Sequence, residues 1–205
     1  MCGRYDLSEN PAAIRAKFSV PVVPDFTPNL DVRPTETNPI VRLNRARDAN
    51  ECALARWGLV PSWAKDLTFG TRCINARAES LHTAPAFRAA YEGRRCLVPA
   101  NAFYEWSGPK GKRIKWRVVL KDAPLFALAG LWEWWRERTP DAAPVHTYTI
   151  VTTDANAALA HIHDRMPVII APRDYARWLD PKQPVDDLLV PYPDEFVRFT
   201  TDGIA

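Results

Sequence analysis

The sequence predicts an α+β fold: a curved, mostly antiparallel mixed sheet, barrel-like, with short flanking helices. Three observations predict it. Prolines number 19 against only 8 glycines; Pro breaks helix interiors, so this balance suits short strands joined by rigid turns. Ile114, Trp116, Val118 and Leu120 alternate with Lys115, Arg117, Val119 and Lys121, the signature of a half-buried strand. Strand-like runs fill the middle of the chain and do not alternate strictly with helices, which favours α+β over a doubly wound parallel sheet. With 205 residues, 47% hydrophobic and 25% charged, the chain has the make-up of one globular domain, 1–205.

The elements follow in order. Residues 8–18 read as a helix: Ser8 caps it, Pro11 fits the first turn, and Ile14 and Phe18 share a face. Residues 19–39 are proline-rich and read as extended loop. Residues 40–43 and 52–60 read as strands around the polar turn Asp48-Ala49-Asn50. A loop with Pro61, Trp63 and Gly70 spans 61–72. Residues 85–91 read as a helix stopped by Gly93. Strands are expected at 96–98 and 102–106, then a turn over 107–112 and the alternating strand. Strands at 125–131 and 147–151, a helix at 156–162, a strand at 168–170 and a helix at 173–179 complete the reading.

Composition narrows function. No window of about 18 uncharged apolar residues occurs, so no spanning helix is expected. The N-terminus lacks the apolar run of a secretory signal, and the expected location is cytoplasmic, at the nucleoid if the source is bacterial. The net charge of +3 permits an anionic partner without requiring one. Cys2, Cys52, Cys73 and Cys96 show no metal-ligand spacing, and no metal or other cofactor is expected. Cys52, Cys73 and Cys96 read as small buried hydrophobes. The 8 Trp residues read as core, or as stacking surfaces where they are exposed.

Four short runs carry chemistry-bearing residues. Cys is small enough for an aminopeptidase to remove Met1 before it. Cys2 would then bear an α-amine and a thiol on adjacent carbons. Such an aminothiol condenses with an aldehyde to an imine, and the thiol closes the imine to a five-membered thiazolidine. The reference amine pKa of about 7.7–8.0 leaves a nucleophilic fraction at neutral pH. The alternative is that Cys2 is an early residue without a role. In Asn75-Ala76-Arg77-Ala78-Glu79, Asn supplies an uncharged donor and acceptor, and Arg a fork matched to phosphate; alone, the run also suits a polar strand end. In Phe103-Tyr104-Glu105-Trp106, Glu105 is a candidate for desolvation and proton transfer, or else a solvent-facing strand residue. His163, beside Asp164, is a candidate proton shuttle.

Together, and in this order, these runs resemble the SRAP family, the SOS response-associated peptidase proteins. The resemblance rests on Met1-Cys2-Gly3-Arg4, Trp57-Gly58-Leu59-Val60-Pro61-Ser62-Trp63, Ile74 to Glu79, Phe103 to Trp106, and Ile162-His163-Asp164-Arg165-Met166-Pro167. It implies binding of single-stranded DNA and covalent capture of abasic sites by Cys2. It further implies that Asn75 orients the N-terminal residue and the sugar, that Glu105 is the acid/base of ring opening and imine formation, and that His163 moves protons in closure and reversal. Arg4 and Arg77 would hold flanking phosphates, and Trp63 would stack near the DNA. Pro34 belongs to the same DNA-binding set. The family pattern Asn-x-Ala-Pro stands here as Asp31-Val32-Arg33-Pro34, and the stretch 195–199 departs from the family tail.

Other readings of the same residues are a class II glutamine amidotransferase-like N-terminal-nucleophile hydrolase, a Cys-His-Glu peptidase, and a non-covalent single-strand-binding module. The amidotransferase pattern continues with an apolar strand after Cys-Gly, where this chain has Arg4-Tyr5-Asp6. A monomer is expected, and replication-associated partners are compatible with the resemblance.

Overall fold

The computed structural model describes residues 2–44, 46 and 48–204, the last three by backbone alone. Met1, whose removal the aminothiol chemistry requires, lies outside the described residues. Among the described residues thirteen strands are formed: β1 (Arg4–Leu7), β2 (Asn29–Val32), β3 (Thr37–Asn44), β4 (Ala49–Trp57), β5 (Asn75–Arg77), β6 (Arg95–Ala100), β7 (Ala102–Ser107), β8 (Ile114–Leu120), β9 (Phe126–Trp135), β10 (Val145–Asp154), β11 (Arg165–Pro167), β12 (Ile169–Ile170) and β13 (Val197–Ile204). The α-helices are α1 (Pro11–Phe18), α2 (Arg88–Gly93) and α3 (Tyr175–Leu179). None is long and apolar enough to cross a membrane.

The larger sheet runs β11-β10-β4-β3-β6-β9-β12, and β9 also pairs antiparallel with β10. Strands β10, β4, β3, β6 and β9 therefore close into a ring, the curled sheet expected from the sequence. Parallel pairing enters at β10, whose early part lies beside β4 and whose later part lies beside β5. The smaller sheet runs β13-β8-β7-β1-β2. It packs on the ring through a buried aromatic group: the Tyr5 and Tyr148 hydroxyls are 2.7 Å apart, and Trp57 lies stacked on Tyr148 and edge-on to Tyr5.

Several elements differ from the expectations. The first helix starts at Pro11, because Asn10, not Ser8, accepts the Ala13 N–H at 3.0 Å. The Ser8 N–H goes instead to the Asn101 side chain. The proline-rich stretch yields β2 and the first residues of β3. Pro39 is tolerated there because β6 pairs with β3 only at Val41 and Arg42, so the missing N–H falls on an unpaired edge. Residues 156–162 form turns rather than a helix. The run is too short to nucleate one alone, and the Asn156 amide is tied at both ends, accepting the Leu159 N–H and donating to the distant Tyr192 carbonyl. Strands β1, β11 and β13 stand where none was expected, and β5 forms in the run read as a possible polar strand end. The divergent stretch at 195–199 leads into β13, which extends the small sheet along β8.

Candidate active site at the N-terminal cysteine

Cys2 leads into β1, which is inserted between β2 and β7 of the small sheet. The insertion buries it: its side chain is 0% exposed, and its Sγ donates toward the Arg4 carbonyl at 3.7 Å. Burial pushes the thiol well above its ordinary range, and the nearby Glu105 charge pushes it the same way. The resting sulfur is therefore a neutral thiol.

Asn75 reaches Cys2 from the ring. Strand β5 lies parallel to β10, with Asn75 beside Ile150. From there its Nδ2 donates to the Cys2 carbonyl at 2.9 Å. Its Oδ1 is buried and has no hydrogen-bond partner among the described residues. One half of the amide thus fixes residue 2, and the other offers an acceptor inside the site.

Glu105 comes from the centre of β7. Tyr104 pairs with Arg4 and Phe103 with Tyr5, so alternation along β7 turns Glu105 to the same face as Tyr5, toward the ring. It is only 2% exposed, which answers the choice between a buried and a solvent-facing carboxyl. Burial raises its pKa from 4.5 to about 7. Near neutral pH it holds a proton about half of the time, the state that suits an acid/base catalyst.

His163 precedes β11. Its Nδ1 accepts the Arg165 backbone N–H at 2.9 Å, which leaves the proton of the neutral ring on Nε2. Burial lowers its pKa, while Asp164, 2.9 Å from Nδ1, works in the opposite direction. At neutral pH the ring is uncharged.

The loop bearing His163 and the strand bearing Asn75 are stapled together. Arg165 donates to both carboxylate oxygens of Glu79 at 2.7 and 3.0 Å, to Asp154 at 2.6 Å and to the Thr152 carbonyl at 2.8 Å. Glu79 and Arg165 thus belong to the scaffold of the site. Sequence reasoning missed this pairing, because nothing local to either residue names a partner so far along the chain.

The Arg4 Nη1 contacts both oxygens of Asp31, at 3.0 and 2.7 Å, and the guanidinium lies over Trp106. Arg33 donates to the same carboxylate. Burial works to raise the Asp31 pKa, but these two arginines hold it below its usual value. Arg77 is exposed on β5, two residues beyond Asn75, with no ion-pair partner among the described residues. Pro34 is half-buried in the turn that joins β2 to β3. Trp63 is 50% exposed and packs edge-on against Phe69. No cluster that could hold a metal ion is found among the described residues.

A ring-sheet α+β domain with a buried cysteine at residue 2, held by an amide and faced by a protonatable carboxyl, defines the class of protein. Within it, the family model described as SOS response associated peptidase (SRAP) matches residues 1–201, and the chain belongs to that family. It is 41% identical over 201 residues to the abasic site processing protein YoqW of Bacillus subtilis, covering 94% of this chain and 88% of the relative. It is 31% identical over 195 residues to the abasic site processing protein HMCES of Pongo abelii, covering 76% of this chain and 54% of that protein. Crystal structures of a Bacteroides thetaiotaomicron protein and a Bordetella bronchiseptica protein share the fold. Their TM-scores are 0.88 and 0.83 at 24% and 26% identity; each alignment covers 98% of this chain, with 91% and 99% of the respective partner.

Proposed function

We propose that this protein processes abasic sites by capturing the ring-opened sugar in single-stranded DNA covalently through Cys2. The observation that carries the reading is the seat of Cys2, pinned through its carbonyl by Asn75 and faced by a carboxyl with a pKa of about 7. The names of the relatives supply the substrate class: YoqW and HMCES are abasic site processing proteins.

The chemistry follows from these groups once Met1 is removed. Protonated Glu105 gives its proton to the ring oxygen, and the hemiacetal opens to the C1′ aldehyde. The Cys2 amine adds to C1′, and loss of water leaves an imine. The thiol then adds across the C=N bond: sulfur bonds to C1′ and its proton passes to nitrogen. His163, uncharged and with its proton on Nε2, relays protons among the sugar oxygens, the amine and the sulfur. One water is lost overall and no oxidant is required.

A cysteine peptidase works through a thiolate paired with an imidazolium. Here burial favours the neutral form of both groups, which suits an amine that attacks first and a thiol that seals afterwards.

The test is incubation with a single-stranded oligonucleotide bearing one abasic site. A species that survives boiling in detergent, with a mass equal to the sum of the partners less one water, is expected. Cys2→Ser keeps the amine, so its adduct should be lost on heating unless borohydride reduces it first. Capture by a form that retains a residue ahead of Cys2 would overturn the reading.

A further inference from the structure

We propose that the β7–β8 hairpin is a second phosphate-gripping element, taking the nucleic-acid strand to one side of the lesion as it leaves the Cys2 site. The inference rests on the reading of DNA as the substrate and adds a surface that the site residues do not include.

The hairpin stands in an unbroken run of positive charge. No acidic residue occurs between Glu105 and Asp122, while Lys110, Lys112, Arg113, Lys115, Arg117 and Lys121 all fall there. Not all of these charges are available. Arg117 donates to the buried Asp6 at 2.6 Å, and the Lys115 ammonium lies over the Tyr104 ring at 4.0 Å. Lys110, Lys112 and Arg113 are exposed at the tip, with no ion-pair partner among the described residues.

The tip is shaped for access. Gly108 and Gly111 take positive φ angles of 90° and 87°, and nothing lies within 4 Å of where a Gly111 Cβ would stand. The hairpin flanks a groove of about 550 Å³ lined by Gly3, Arg4, Trp106, Lys110, Gly111 and Arg113. Three of the six are cations and none is acidic; Arg4 is held by Asp31, so Lys110 and Arg113 carry the available charge.

Sheet register ties this groove to the site. Arg4 pairs with Tyr104, which pairs with Arg117, and Trp106 pairs with Lys115. These residues share one face of the small sheet, while Glu105 occupies the other. Gly3 follows Cys2 directly and lines the groove. A strand whose abasic sugar reaches Cys2 therefore has its neighbouring phosphates beside Arg4, with Lys110 and Arg113 next along the groove. A cationic track beside a half-buried Trp suits a single strand, which offers phosphates and unstacked bases together.

The test uses undamaged, fluorescently labelled single-stranded DNA, so that it does not depend on lesion chemistry. Affinity is measured by anisotropy over a range of salt concentrations. Lys110→Gln with Arg113→Gln should lower the slope of log K against log salt by about 1.4, at about 0.7 per phosphate contact on a single strand. The charge-preserving pair Lys110→Arg with Arg113→Lys should restore it. With lesion-bearing oligonucleotides shortened on one side or the other, the double variant should slow capture only where the strand on the hairpin side is present. An unchanged slope, or slowing that ignores which side is shortened, overturns the proposal. If the slope changes but no variant ever forms an adduct, the covalent reading fails and the strand-binding surface stands.

Discussion

At the scale of single residues, Glu105 links stability to chemistry. Its pKa rises from 4.5 in the unfolded chain to about 7 in the fold, so the folded state binds the proton more tightly. The associated stability is fully present below pH 4.5 and is lost as pH rises through 7, a loss of about 3 kcal/mol. Glu105→Gln carries no charge to desolvate. Thermal unfolding should show it more stable than wild type in mildly alkaline buffer, with the advantage gone below pH 4.5. A parallel effect is expected on capture. The rate should follow a bell in pH, rising as the amine loses its proton and falling as Glu105 loses its own. The glutamine variant should be slow throughout and lack the alkaline fall. The runs around Cys2, Asn75, Glu105 and His163 were legible as candidate chemistry; the burial of Cys2 and Glu105 and the bond from Asn75 to the Cys2 carbonyl were not, because they depend on strands distant in sequence. Asp31 was legible only as an unexpected charge. Its hold on Arg4 spans 27 positions of sequence, and no local pattern encodes it.

Elements were legible where side-chain alternation is long, as in β8, and illegible where tertiary partners decide. β1 has four residues, two of them charged, yet Tyr5, Asp6 and Leu7 are all buried. Asp6 is accommodated only because Arg117 arrives from β8. The turns at 156–162 satisfy a helical pattern but answer to Asn156. The staple of β11 to the segment after β5 is a similar long-range device and makes a prediction. Arg165→Gln should cost about 1–3 kcal/mol in urea unfolding, since it removes charge-assisted hydrogen bonds from a nearly buried head group. Glu79→Gln, on the exposed side of the same pair, should cost under about 1 kcal/mol. Arg165→Gln should also slow capture in folded protein, because Asn75 and His163 are set by the segments it joins.

At the scale of the whole molecule, closure of the ring depends on close approach between strands. Gly130 of β9 lies opposite Cys96 of β6, and a Cβ there would meet the Cys96 Sγ and the Val98 Cγ2, each at 2.8 Å. Gly130→Ala is expected to cost about 1–3 kcal/mol through overpacking, read as a lower urea midpoint with an unchanged m-value. Gly58 works at the mouth of the Trp63 loop. Its φ is +117°, and a Cβ would meet the Gly70 carbonyl oxygen at 2.7 Å. Fold class was legible from composition because prolines and alternation constrain every short segment alike. The curl of the sheet was legible too, but which strands close it was not, because neither the β9 nor the β10 pattern records which neighbour it will find.

The pairing of β1 with β7 also sets an order in time. β1 precedes β7, the strand that seats Cys2 and carries Glu105, by about a hundred residues. Until β7 is made, β1 has only β2 of its two sheet neighbours, and Cys2 lacks its cover. Once β7 is made and β1 slots in, the sulfur disappears from solvent and the carboxyl arrives beside it. The meeting of Cys2 with Glu105 is thus a product of tertiary folding, complete only once β1 and β7 have paired.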